Sequence, residues 1–256
     1  MPDIDTPPES LRARLAAGAA IEVAWLALGS PAIAEAAAGA QPAAIVFDLQ
    51  HGLWTPPALA AAVGFLPAGV PAIGRVAENS AAAIGTALDC GLETVLVPLV
   101  DGPEEAAAAV SHARFPPEGT RSGGGVRPLL AGFPAYVAAA RARTGVGVMI
   151  ETVAGVAAAA AIARTPGLDF VFIGTGDLAL SLGAFPTPDD RLAAACAAVL
   201  AACRAAGVPC GIFTSTAEDA AARLAEGYAM AVAANDIDVV KNGFSAALAG
   251  FREGRP

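Results

Sequence analysis

The sequence predicts a closed (β/α)8 barrel, the TIM-barrel form of the α/β class, filling residues 1–256 as one domain. Three observations carry this expectation. Eight short apolar runs recur along the chain, alanine-rich helical stretches separate them, and several of the few charged side chains fall where the runs end. Strands alternating with helices pair in parallel, and eight such units close on themselves instead of leaving an open sheet.

The first strand reads at 21–28 (IEVAWLAL), with a helix in PAIAEAAAGA after it. The second reads at 43–48 (AAIVFD). The uncharged run from Gly52 to Gly74 has the length of a bilayer span, but Pro56, Pro57, Pro67 and Pro71 would break a helix there, so no membrane span is expected. A third strand at 70–76 (VPAIGRV) leads into NSAAAIGTALDCG, a helix with an Asn-Ser start and a Gly stop. The fourth, at 93–99 (ETVLVPL), precedes the helix GPEEAAAAVSHAR. Residues 115 to 145 are long for a barrel connection and contain RFPPEGTRSGGGVRP, which reads as a structured loop over one face. Strands five and six follow at 146–151 (VGVMIE) and 169–174 (DFVFIG), with the helix ETVAGVAAAAAIAR between them. DDRLAAACAAVLAACRAAG and STAEDAAARLAEG then flank the seventh strand at 208–213 (VPCGIF), and the eighth is YAMAVAA at 228–234.

Composition excludes several classes of function. At 55% hydrophobic and 15% charged residues the chain is too apolar for disorder, and the excess points to burial between subunits. A formal net charge of −9 leaves no broad basic field for nucleic acid. The N-terminus MPDIDTPPESLRARLAAG has acidic residues and no apolar signal core, so a cytoplasmic protein is expected. Cys90, Cys196, Cys203 and Cys210 form no CxxC pair and read as buried structural thiols.

In this fold chemistry gathers where strands end and helices begin. Asp48 ends strand two and His51 follows it, Arg75 ends strand three, Glu151 ends strand five and Asp177 stands just past strand six. Neighbouring strands lie about 4.8 Å apart, so Glu151 and Asp177 would repel unless a proton or cation lay between them. Either residue alone reads equally as a helix-start group, Glu151 in a first turn and Asp177 as an N-cap. Together, without a nearby Cys or second His, they fit a hard divalent ion, Mg²⁺ or Mn²⁺, whose open positions call for a chelating substrate. The Gly174-Thr175-Gly176-Asp177 turn offers backbone N–H groups to a carboxylate. A 2-oxo acid would satisfy both features, and Arg75 would then stabilise a developing enolate. Its alternative role is an ion pair within the rim. His51 has the intrinsic pKa for proton transfer, with ordinary packing as the alternative, and Asp48 would orient its imidazole or a metal-bound water. His112 receives no role. Arg121 and Arg127 stand open between contact with a substrate anion and a solvent-facing loop.

FDLQHG, GRV at Arg75, ETVLVPLV, RFPPEGTRS, VMIET and DFVFIGTGDLALSLG resemble, in the same order and over nearly the whole chain, the HpcH/HpaI family of class II pyruvate aldolases. Members of the type act on 4-hydroxy-2-oxoheptanedioate or 2-keto-3-deoxy sugar acids. The resemblance implies a metal-dependent barrel of the phosphoenolpyruvate/pyruvate superfamily that cleaves 4-hydroxy-2-oxo acids to pyruvate and an aldehyde. It implies that Glu151 and Asp177 bind the metal (Mg²⁺, Mn²⁺, or Co²⁺ or a similar ion), that Arg75 supports the enolate, and that His51 is the acid-base group, acting through a metal-linked water. It further implies a homo-hexamer whose last helix packs on a neighbouring barrel, with Asp89 reaching His51 of an adjacent subunit. Otherwise Asp89 is a solvated helix end. Gln50, Met149 and the GTGD turn depart from the common family pattern, which bears on substrate choice. An oxaloacetate-type decarboxylase or lyase, and a non-catalytic oxo-acid-binding barrel, are the rival functions. A Schiff-base route would rest on Lys241, the chain's single lysine.

Overall fold

A computed structural model describes residues 9–187 and 189–253. The first eight residues of the N-terminal stretch read above as lacking a signal core lie outside that range. Eight parallel strands close in the order in which they occur in the chain: β1 (Ile21–Leu26), β2 (Ala44–Asp48), β3 (Ala72–Arg75), β4 (Thr94–Val97), β5 (Gly145–Ile150), β6 (Phe170–Ile173), β7 (Cys210–Ile212) and β8 (Met230–Asn235). The seam between β1 and β8 carries a register shift at Val23/Ala24.

Strand alternation sorts the core into two shells. Trp25, Val46, Ile73, Leu96, Met149, Phe170 and Phe172 fill the barrel interior. Phe47, Val95, Val97, Val148, Ile150 and Val171 point outward against the helices. Those helices answer with Ala34, Ala62, Ala87, Ala109 and Ala159, all buried. Side chains this small let helices lie close on the sheet, which accounts for the alanine-rich composition.

The expected helices appear as α2 (Pro31–Gly39), α4 (Ala81–Asp89), α5 (Pro103–Ala113), α8 (Val153–Ile162), α10 (Asp190–Ala206) and α11 (Ala217–Ala225). Others were not foreseen. α1 (Leu11–Ala16) precedes the barrel, and α3 (Pro56–Phe65) begins at the prolines that seemed to forbid it. Proline is tolerated in a first turn because its missing N–H would have had no intrahelical acceptor, and Thr55 caps the start by accepting from Ala58 N–H. The connection at 115–145 contains α6 (Val126–Leu130) and α7 (Phe133–Arg143), so it is largely helical. Two further helices complete the order, the short α9 (Thr175–Ser181) and the terminal α12 (Asp236–Glu253). Along α12, Ile237, Val239, Phe244 and Leu248 are each at least half exposed. Among the described residues no helix is long and apolar enough to cross a membrane.

Candidate active site

A cavity of about 460 Å³ opens where the strands end. Asp48, His51, Arg75, Glu151, Gly174, Thr175, Gly176 and Asp177 all line it, whereas Asp89, Arg121 and Arg127 do not.

Parallel pairing sets Asp48 beside Arg75 as register partners at the ends of β2 and β3. The Asp48 carboxylate accepts from Arg75 Nε at 2.9 Å and from Arg75 Nη2. It also accepts from the Trp25 indole at 3.3 Å and from the backbone N–H groups of Gln50 and His51, each at 3.1 Å. Burial alone would raise its pKa, but the Arg75 hydrogen bonds and charge, helped by the His51 N–H and the indole, hold it below the usual carboxylate value of 3.8. Asp48 therefore orients Arg75, and its contact with His51 is to the backbone. The expected contact with the imidazole is absent: among the described residues the ring makes no hydrogen bond, and His51 is exposed. Arg75 thus forms the rim ion pair considered above, with its Cζ 5.0 Å from the Trp25 ring centroid and, among the described residues, no hydrogen bond from Nη1.

Glu151 is 1% exposed, and its Oε1 accepts the Leu99 N–H at 2.7 Å. Leu99 holds φ at 53°, a left-handed conformation unusual for a residue with a branched side chain, and the hydrogen bond to Glu151 is what that backbone presents. Burial pushes the Glu151 carboxyl up to about 7; the Asp177 and Asp101 charges add to this, and the Leu99 N–H and Arg75 oppose it. Gly174 is required by close approach, since a Cβ there would lie 2.2 Å from Glu151 Oε2 and 3.0 Å from Met149 Cε.

Both helix-start readings need correction. Thr152 caps α8, accepting from Gly155 N–H at 2.9 Å, which leaves Glu151 before the helix and facing the cavity. Gly174 occupies the N-cap of α9, and Asp177 sits within the first turn. The Thr175 hydroxyl donates to the Phe213 carbonyl at 3.0 Å and ties α9 to the end of β7. First-turn N–H groups at Thr175, Gly176 and Asp177 have no intrahelical acceptor.

The donor set was tested for a metal. No group of three or more His, Cys, Asp and Glu side chains capable of holding an ion gathers among the described residues, which argues against a closed zinc-type site. Glu151 and Asp177 nevertheless fit one hard divalent ion: two adjacent carboxylates, one buried and carrying a raised pKa that a cation would relieve.

Asp89 bonds Arg121 Nη2 at 2.9 Å, so it is not a free solvated helix end. Arg121 is buried, also donates to the Tyr136 hydroxyl, and stacks on Phe115 with Cζ 4.5 Å from the ring centroid. Arg127 donates to the Ala60 carbonyl. Of the two readings left open for these arginines, neither holds within this chain: neither is solvent-facing and neither lines the cavity. All four cysteines are free and buried.

Sequence reasoning missed Trp25, Phe213, Ser215, Asn235, Asp236 and Asp238, which also line the cavity. Asp236 is buried and accepts the Ala27 and Leu28 N–H groups at 2.9 and 2.8 Å, joining the ends of β8 and β1. The signal was present in NDID immediately after the eighth run, a polar cluster of the kind that identified the other strand ends.

With this geometry in view, comparison with known proteins is informative. The family model described as HpcH/HpaI aldolase/citrate lyase matches residues 22–243. A 4-hydroxy-2-oxovalerate aldolase of Novosphingobium aromaticivorans is 37% identical over 82% of this chain and 82% of its own. A protein of the same name from Rhodococcus jostii (strain RHA1) is 34% identical over 98% of each chain. The crystal structure of an HpcH/HpaI aldolase/citrate lyase family protein from Burkholderia cenocepacia J2315 superposes with a TM-score of 0.88 at 32% identity, covering 94% of this chain and 98% of that one. The chain belongs to the HpcH/HpaI aldolase/citrate lyase family and is an enzyme of the aldolase/lyase class.

Proposed function

We propose that this enzyme is a class II aldolase that reversibly cleaves 4-hydroxy-2-oxo acids to pyruvate, or a related 2-oxo acid, and an aldehyde, acting through a single domain over 1–256. The observation that carries the reading is the convergence, in one cavity, of two carboxylates, Glu151 buried and Asp177 half-buried, with a guanidinium whose Nη1 is uncommitted. Glu151 and Asp177 would hold a divalent ion, Mg²⁺ or Mn²⁺, with Co²⁺ a further candidate. Such an ion supplies Lewis-acid polarisation of the 2-oxo group.

The protein's own groups do the rest. Backbone N–H groups at Thr175, Gly176 and Asp177 bind the substrate carboxylate. Arg75, held in place by Asp48, presents its remaining N–H edge to the oxygen that gains charge as C3–C4 breaks and pyruvate enolate forms. His51 accepts the proton of the 4-hydroxyl during cleavage and returns it in the addition direction, and the enolate carbon takes one proton from water to become the pyruvate methyl group. Within one chain Asp89 is occupied by Arg121 and lies outside the cavity. On the family resemblance we assign it to His51 of an adjacent subunit in a homo-hexamer, where a carboxylate would fix the imidazole tautomer. The exposed apolar residues of α12 support an exchange of that helix between barrels. A cytoplasmic location accompanies this reading.

Product analysis separates this reaction from decarboxylation. Incubated with 4-hydroxy-2-oxovalerate, the enzyme should release pyruvate and acetaldehyde in equal amounts without carbon dioxide. Turnover of oxaloacetate to pyruvate and carbon dioxide, with no cleavage of the hydroxy acid, would replace the proposal with the decarboxylase alternative.

A further inference from the structure

The cavity's charge is unbalanced. Asp48, Glu151, Asp177, Asp236 and Asp238 all line it, against one guanidinium, Arg75, and the imidazole of His51. Two nitrogens of Arg75 are already bonded to Asp48. On the aldolase reading, Arg75 and the divalent ion are both engaged with the 2-oxo acid, and the ion offsets Glu151 and Asp177. Asp236 is satisfied by backbone N–H groups, which leave its negative charge in place. Asp238 accepts from the Asn235 side-chain amide at 2.8 Å and forms no ion pair among the described residues. Among the described residues of this chain, a second anion entering this space would find carboxylates and no cationic side chain free to receive it.

The remaining wall is mostly apolar. Leu180, Phe185, Phe213 and Ile237 line the cavity beside the uncharged Ser215 and Asn235, and three of them, Leu180, Phe185 and Ile237, are at least half exposed. Arg121 and Arg127, the cations of the long connection, are held by Asp89 and Tyr136 and by the Ala60 carbonyl. A neighbouring subunit that delivered Asp89 would therefore bring an arginine whose Nη2 is already paired and whose guanidinium is buried.

We infer that the aldehyde released and accepted by this site is an uncharged aliphatic one, and that aldehydes carrying a carboxylate, phosphate or sulfonate are rejected. The inference rests on the aldolase reading. Discrimination arises from uncompensated like charge, together with a mostly apolar wall that offers an anion few hydrogen bonds and no countercharge. The chemistry is the same for either aldehyde. In addition, the enolate carbon forms one bond to the carbonyl carbon, the C=O π pair moves to oxygen, that oxygen takes one proton, and nothing is oxidised.

Butanal and succinic semialdehyde share a four-carbon skeleton and differ in a terminal methyl against a carboxylate. With the Mn²⁺-loaded enzyme and pyruvate, kcat/KM for addition should favour butanal by at least about 10²-fold. Asp238→Arg should narrow that ratio at least about tenfold by supplying the missing cation. Equal or better use of succinic semialdehyde overturns the inference, and a ratio unmoved in a folded Asp238→Arg enzyme overturns its electrostatic basis. Exchange of pyruvate methyl protons with solvent deuterium reports the underlying reading separately. Exchange accompanied by the reversed aldehyde preference removes this inference alone, whereas no exchange removes both.

Discussion

Arg75 is a buried cation, and burying one is tolerable only with a partner that satisfies it. Asp48 is that partner, and the strand register explains why: the two residues end adjacent strands side by side. The sequence placed both at strand ends but joined Asp48 to His51, three residues away, because register across strands is not visible along the chain. The carboxylate pair was legible, since Glu151 and Asp177 each follow an unmistakable apolar run. His51→Ala should retain the fold and the metal while lowering the chemical rate about 10²- to 10⁴-fold, as measured by single-turnover cleavage. Glu151 makes a second prediction. Its folded pKa of about 7 exceeds the ordinary 4.5, so the folded metal-free protein binds the proton more tightly than the unfolded chain. The resulting stabilisation is complete below pH 4.5 and is lost as pH rises through 7. Metal-free enzyme should therefore lose about 3 kcal/mol of stability across that window. Denaturant titration should show a loss of this order, reduced in Glu151→Gln and offset by saturating Mn²⁺.

Helices α6 and α7 show where element reading reaches its limit. Their stretch, VRPLLAGFPAYVAAARAR, carries two prolines and three glycine-free turns without a clear apolar stripe, and α7 buries none of its residues. Periodicity signals a helix only when one face is buried, so this pair was read as loop. Prolines at α3 were read as breakers because their position in the helix was unknown; at the first turn they start it. The six helices that were legible each bury part of their surface against the barrel, and most show a cap or a glycine stop in the sequence. Thr152 tests how an element boundary serves the site. It caps α8 directly after Glu151 and also donates to Asp101. Thr152→Ala should reduce stability by about 1 kcal/mol in denaturant titrations. Because the same turn sets the end of β5, metal affinity measured by calorimetry should weaken as well.

At the scale of the whole molecule, two features of the described residues point beyond a single chain: the His51 imidazole without a hydrogen bond, and the exposed apolar residues on α12. The 55% hydrophobic composition had pointed to burial between subunits, which would cover such residues. If Asp89 serves His51 across a subunit boundary, His51→Ala and Asp89→Ala proteins, each inactive, should regain activity when dissociated and reassembled together. Proven mixed oligomers without recovery would return Asp89 to its bond with Arg121 alone. Beneath every assignment lies one chemical claim, that this cavity turns pyruvate into its enolate. Nuclear magnetic resonance of pyruvate in deuterium oxide measures that event without any aldehyde. Wild-type enzyme with Mg²⁺ should exchange the methyl protons at a rate that falls to background on chelation and drops steeply in Arg75→Ala. Methyl protons that remain unexchanged in the presence of metal-loaded, folded enzyme would contradict the account.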